Sequence, residues 1–176
     1  MNMRITIENT NFIYMTNFSG DPARAGKYPS KSKVGHIIIP DIKQARELID
    51  AGFNVKMTKP KEGEEEGFIP KYYVKINARY RKANGDLMKY PPRVYLVSGD
   101  NPPLLLDEDT INQVDVIPVD NVNVVLKSWD GDNGPVLDII TMYVEQGLDD
   151  DPFAARYARR NGNYEPREVD PEDTPW

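Results

Sequence analysis

The chain of 176 residues contains no cysteine and a single histidine, His36. Without thiols there are no disulfides, no thiolate metal sites and no cysteine nucleophile. One imidazole excludes histidine-rich metal sites and gives Ser–His catalysis little footing. No apolar run approaches the ~18–20 residues that a bilayer-spanning helix needs. The opening residues, 1–6, lack the apolar core of a secretory signal, so a cytosolic protein is expected. Phosphate-cradling patterns of the GxxxxGK(S/T) or GxGxxG type are missing, and Ser19-Gly20 and Ser98-Gly99 have no GxSxG context. Asp130 and Asp132 resemble the start of a calcium loop, but position five is Gly134 and no glutamate follows at the required spacing. Asp107, Glu108 and Asp109 are consecutive and cannot all face one metal from a regular element. His36, between Gly35 and three isoleucines, is expected as a buried or edge residue. No enzyme activity, metal or cofactor is therefore expected.

What the chain has is charge, unevenly placed. The net charge is −6, yet residues 22–93 hold 16 Lys/Arg against 8 Asp/Glu, while residues 94–144 hold Lys127 against 9 acids and residues 145–176 hold 4 Arg against 9 acids. Such segregation predicts a basic surface together with an acidic region that covers it or meets a partner.

Alternation of apolar and polar residues favours strands over most of the length. Short β-prone stretches fall at 3–7 and 12–18, a polar basic loop runs from 21 to 33, and 36–39 is a strand stopped by Pro40. A helix follows over 41–51, with Asp41 as its cap, Gln44 at the capping-box offset, Gly52 as its stop, and Ile42, Ala45, Leu48 and Ile49 on one face. Residues 53–59 read as a strand and 62–67 as a solvated acidic turn. In 70–81, Tyr72, Val74, Ile76, Ala78 and Tyr80 share one parity, and Lys71, Tyr73, Lys75, Asn77, Arg79 and Arg81 share the other. One face is thus core and the other cationic with an embedded ring. After the Asn84-Gly85 turn, strand 93–98 repeats this with Val94 and Leu96 against Arg93 and Tyr95. A short helix is expected over 107–114, its acids favoured by the helix dipole. Strands 119–129 and 135–145 flank a hairpin turn at 130–134. A further short helix is expected over 153–160, and 161–176 reads as disordered. The set predicts a small, mainly antiparallel barrel or a five-stranded Greek-key arrangement with one or two short helices.

Basic residues interleaved with rings on two strands are what a reader of single-stranded nucleic acid needs, cations for phosphate and flat side chains for stacking. Lys71, Tyr73, Lys75, Arg79, Arg81, Arg93 and Tyr95 are the candidates, with Tyr28, Lys31 and Lys33 from the preceding loop. A solvated sheet face with incidental tyrosines is the alternative. Trp129 is added as a candidate, although the sequence leaves open whether it faces a groove or the core. The extreme C-terminus, Glu165-Pro-Arg-Glu-Val-Asp-Pro-Glu-Asp-Thr-Pro-Trp176, combines five acids with a terminal tryptophan. Asp170, Glu172, Asp173 and Trp176 are candidates for engaging a protein partner, or for lying on the chain's own basic groove.

These residues together resemble phage-encoded single-stranded DNA-binding proteins of the OB fold. The carrying segments are Ile39-Pro40 with the helix after it and Gly52-Phe-Asn-Val-Lys56; Tyr72-Tyr-Val-Lys-Ile-Asn77; Pro91-Pro-Arg-Val-Tyr95; Leu105-Leu-Asp-Glu-Asp109; the last hairpin with Trp129 and Tyr143-Val144; Phe153-Ala-Ala-Arg-Tyr157; and the acidic tail. The resemblance implies a barrel of about five antiparallel strands over 1–160 that binds single-stranded DNA without sequence preference. It also implies a tail, 161–176, that recruits phage or host replication proteins in the cytoplasm of an infected bacterium. Such tails more commonly end in phenylalanine, where this one ends in Trp176. A homodimer is left open, and no membrane partner is expected. Two other readings stay in view: an acidic interaction module that binds a replication enzyme and no nucleic acid, and a metal-dependent nuclease using Asp107, Asp130 and Asp138.

Overall fold

A long hairpin forms the spine. β7 (Val119–Gly131) and β8 (Gly134–Gln146) pair antiparallel along their whole lengths, joined by the two-residue turn Asp132-Asn133. Gly134, with φ +113, takes a backbone conformation that a side chain would strain. Val122, Val124 and Leu126 of β7 point into the core, as do Met142 and Val144 of β8, and the residues between them face outward. The register shifts between Val125–Thr141 and Leu126–Ile139, which leaves Ile140 as an extra residue and bends the hairpin there. The computed structural model of the chain describes residues 3–24 and 32–147; the helix expected over 153–160 and the tail lie outside them.

The remaining strands hang on the two edges of this hairpin. β1 (Arg4–Thr10) pairs antiparallel with β7. The free edge of β8 is shared by two strands: β4 (Tyr72–Asn77) meets it at Asn77–Asp138, and β5 (Arg93–Val97) runs beside Thr141 to Glu145. β2 (Val34–Ile39) pairs with one edge of β4, the two-residue β3 (Lys56–Met57) with the other, and β6 (Leu104–Leu106) with β5. The result is one eight-stranded sheet, ordered β1-β7-β8-β4-β2, that is not closed. Beyond β1, residues 11–17 run along β2 through the bridges Phe12–Ile37 and Asn17–Val34. Gly35 permits this close approach, because a Cβ there would stand 3.0 Å from the Phe18 ring.

The mainly β expectation holds, while the five antiparallel strands become eight, two of them joining β8 in parallel. A parallel neighbour requires a long connection, and residues 78–133 provide it between β4 and β8, and residues 98–133 between β5 and β8. The expected strand over 12–18 makes isolated bridges only. The one over 53–59 shrinks to β3, since Phe53 is drawn into the core at the end of the preceding helix.

That helix, α1 (Ile42–Asp50), starts where Asp41 accepts the Lys43 N–H at 3.0 Å. It ends in paired bonds from Gly52 N–H to the Ile49 carbonyl and from Phe53 N–H to the Leu48 carbonyl, with Gly52 at φ +93. Only Ala45 and Leu48 are buried; Ile42 and Ile49 are 53% and 44% exposed, so the apolar stripe is narrower than its spacing predicts. Gln44 does not close a capping box but donates to the Thr6 carbonyl at 2.8 Å, tying the helix to β1. The helix expected over 107–114 is displaced to a 3-10 helix, Ile111–Val116. Asp107 accepts from the backbone of Asp109 and Thr110 and from the Thr110 hydroxyl, and this local turn outcompetes a helical start.

Neighbours in β7 should therefore respond oppositely to truncation. Leu126→Ala removes a fully buried side chain and should cost about 2–5 kcal/mol. Lys127→Ala, on the exposed parity, should stay within about 0.5 kcal/mol. Urea unfolding measures both, and equal losses would contradict the register.

Candidate nucleic-acid interface

On β4, Val74 and Ile76 are buried while Tyr73, Lys75 and Asn77 stand on the outer face. β2 contributes His36 to the same face, in register with Lys75. Tyr14 leans over from the stretch that follows β1. The three rings meet edge to face, with centroids 5.4 Å apart for Tyr14–Tyr73, 5.9 Å for His36–Tyr73 and 6.3 Å for Tyr14–His36. Tyr14 is 62% exposed and holds φ +64, a conformation that is costly for a bulky residue and that lifts its ring to the surface. Burial lowers the His36 pKa from 6.5, and the charges of Lys56 and Lys75 lower it further, so the imidazole is neutral at pH 7. A hydrogen bond with the Tyr14 hydroxyl, helped by partial burial, raises the Tyr73 phenol above its ordinary value. The cluster is an uncharged, ring-lined surface flanked by two lysines.

The outer face continues past the end of β4 to Arg79. Its guanidinium lies 4.1 Å from the centroid of the Trp129 ring, and its Nε is 3.3 Å from Asp138 Oδ2. Trp129 Nε1 donates to that same oxygen at 2.8 Å. Burial raises the Asp138 carboxyl above its ordinary value, against the opposing pull of Arg79, the Trp129 hydrogen bond and Lys127. Three clefts follow one another along this face. The first, of about 290 Å³, is lined by Lys75, Asn77 and Arg79 beside Phe53 and Asn54. The second, of about 420 Å³, shares Arg79 and adds Arg4, Lys127, Trp129 and Asp138. The third, of about 490 Å³, shares Arg4 and Lys127 and adds Lys89 and Arg93. Arg93 also donates to the Thr141 hydroxyl. Beyond it, Tyr95 stacks on Tyr143 with centroids 4.7 Å apart and planes 14° from parallel.

The expected residues divide accordingly. Tyr73, Lys75, Arg79, Arg93, Tyr95 and Trp129 lie along this face, with Lys71 exposed just ahead of β4. Trp129 is on the outer face of the sheet, half-buried under Arg79; it is Ser128 that points inward. Two expected cations are committed elsewhere. Arg81 grips Glu108 with two nitrogens, at 2.8 and 2.9 Å, and donates to the Gly85 carbonyl. Lys33 donates to the carbonyls of Phe18 and Ser19. Tyr28, Lys31, Asp170, Glu172, Asp173 and Trp176 lie outside the described residues. The same face also carries Tyr14, Tyr143, Arg4, Lys89 and Lys127, which the sequence did not single out, and His36, expected only as a buried or edge residue. Parity could have found His36 opposite Gly35 and Ile37, and Lys127 opposite Leu126; nothing local marks Tyr14. Among the described residues no group of three or more His, Asp or Glu could hold a metal ion, and no helix is long and apolar enough to cross a membrane.

As the sole histidine, His36 gives an unambiguous NMR signal. Its imidazole should titrate with a midpoint below 6.5, and Lys75→Ala should move that midpoint upward, because removing a neighbouring positive charge favours protonation. A midpoint at or above 6.5 in the unaltered chain would contradict the ring cluster.

Comparison with curated proteins gave no match, and comparison with solved structures gave none either. The family model described as "Putative phage ssDNA-binding domain" matches residues 2–170. That span takes in every described strand and every cation and ring of the outer face, and on it the chain belongs to this family of phage single-stranded-DNA-binding domains.

Proposed function

We propose that the chain coats single-stranded DNA without regard to sequence, protecting and organising it during phage replication or recombination in the cytoplasm of the infected host, and that it is not an enzyme. The observation that carries this reading is the succession of three clefts that share their lining cations, with a ring cluster at each end. Counted through the β8 register, Tyr73 and Tyr95 are separated by about 30 Å of strand. Cations between them would track phosphates, and the terminal rings would stack bases. The sheet supports an OB-type reading of residues 1–160. Five of its strands, ordered β1-β7-β8-β4-β2 in an open sheet with residues 11–17 bridged to β2, have the neighbours that an OB-type Greek key would have, and β3, β5 and β6 are read as additions. In OB-type modules the face of the second and third strands binds nucleic acid, and here that face carries His36, Tyr73 and Lys75.

The tail, 161–176, supplies the second part of the proposal. Asp170, Glu172, Asp173 and Trp176 are offered to a replication protein, and the acids compete with DNA for the same cations when no partner is present.

Fluorescence anisotropy with labelled oligo-dT at several salt concentrations tests the reading. The logarithm of the binding constant should fall with log salt by about 0.7 per phosphate neutralised. Lys75→Ala with Lys127→Ala should weaken all sequences alike and flatten that slope by about 1–2. Tyr73→Ala should cost about 1–3 kcal/mol with the slope unchanged. Chain ending at residue 164 should bind more tightly at low salt than the full chain. Absence of affinity at low salt would overturn the proposal, and unchanged affinity on truncation would remove the tail's competition with DNA.

A further inference from the structure

Tyr90 lies three residues ahead of β5, outside every strand. It is 76% exposed, more than any other aromatic side chain among the described residues. Exposure of a lone tyrosine is ordinary; the setting of this one is not. The ring lines the 490 Å³ cleft together with Arg4 of β1, Lys127 of β7, Arg93 of β5 and its own neighbour Lys89. No acid among the described residues lines that cleft. Pro91 and the bulge residue Ile140 give it an apolar wall.

The backbone that carries this ring is anchored on both sides. Two residues upstream, Met88 N–H donates to the carbonyl of the buried Tyr80 at 2.8 Å. Three residues downstream, Arg93 enters β5 beside Thr141. Between these anchors Pro91 and Pro92 have fixed φ, and each proline confines the residue before it to extended backbone. A tyrosine on such a carrier presents a flat surface at little cost in conformational entropy. Lys89 Nζ stands over the Tyr90 ring, 5.5 Å from its centroid, and takes one face. One open ring face among cations matches a nucleotide, whose base is flat and whose phosphate is anionic. A purely apolar ligand would leave the cations unused, and a simple anion would leave the ring unused.

Resting on the single-stranded DNA reading above, we propose that Tyr90 is a further stacking residue, set between the Tyr14–His36–Tyr73 rings and the Tyr95–Tyr143 pair. One base of the bound strand lies on its open face, while Arg4, Lys89 and Lys127 hold the adjoining phosphates. The strand is then fixed at its middle as well as at its ends. Because every base has a flat face, this contact adds affinity without adding sequence preference.

The test compares oligo-dT with an abasic sugar-phosphate oligomer of the same length, by competition anisotropy on the full chain at low salt. Tyr90→Ala should weaken oligo-dT by about five-fold or more, and that loss should shrink to less than about two-fold on the abasic strand, which has no base to stack. Tyr90→Phe should recover what Tyr90→Ala loses and Tyr90→Leu should not, because a flat ring and not apolar area is required. Irradiating the unaltered chain bound to oligo-dT that carries 5-iododeoxyuridine should place an adduct on the peptide containing Tyr90. That adduct decides the matter if the variants fail to fold. A Tyr90→Ala loss below about two-fold on oligo-dT, an equal loss on both strands, or no adduct on that peptide overturns the Tyr90 stack and leaves DNA binding standing. Failure of the unaltered chain to bind any strand overturns both.

Discussion

The pairing of β7 with β8 along thirteen residues each is the constraint on which the other elements depend. Each strand of the hairpin offers one further edge. β1 takes the first, and β4 and β5 divide the second end to end. Because side chains alternate across a strand, this arrangement settles two faces at once. Inside are the isoleucines, valines and leucines that hold the sheet together, each worth about 1.5–3 kcal/mol on burial. Outside, the ends of β4 and β5 are brought into line, so that residues from 73 to 95, distant in the chain, succeed one another along β8. The order of cations on the surface is a consequence of hairpin register.

Charge alone does not identify a binding residue; what else the charge is holding does. Arg81 and Lys33 belong to the basic segment 22–93, but their nitrogens are occupied by Glu108 and by loop carbonyls. Lys127 belongs to the most acidic segment and Arg4 to neither, yet both line the second and third clefts. The acids of 94–144 are likewise consumed in part within the fold. Glu108 holds Arg81, Asp115 accepts from Thr16, Phe18 and Ser19, and Asp138 holds Arg79 and Trp129. Segregation of charge along the sequence thus becomes in part pairing across the sheet, and the outer face carries Arg4, Lys75, Lys89, Arg93 and Lys127 beside the paired Arg79.

Legibility in the sequence followed the range of the interactions. Alternation at 70–81 and 93–98, the last hairpin, the Asp41 cap and the Gly52 stop were all readable, because each rests on neighbours within a few residues. Parallel docking of β4 and β5 on one edge was not, since their partner β8 lies nearly fifty residues or more further along the chain. The 107–114 segment misled because an aspartate suited to a helix start is equally suited to an Asx turn, and Thr110 decided for the turn. On the outer face, the places of Tyr73, Lys75, Arg79, Arg93 and Tyr95 followed from parity. Tyr14 did not, because a left-handed residue between strands carries no periodic signal. Whether Trp129 faced inward turned on Asp138, nine residues away across the hairpin, whose buried carboxylate receives the indole N–H.

The central claim is that one continuous outer face, from the Tyr14–His36–Tyr73 rings through Arg79 to Arg93 and Tyr95, meets the DNA strand. Mapping backbone amide shifts by NMR while oligo-dT is added tests it most directly. Perturbations should form a band through 34–38, 73–79, 127–129 and 93–95, with α1 and the acidic turn 62–67 silent. Perturbations gathered on α1, or two separate patches with the Arg79 clefts undisturbed between them, would contradict the account.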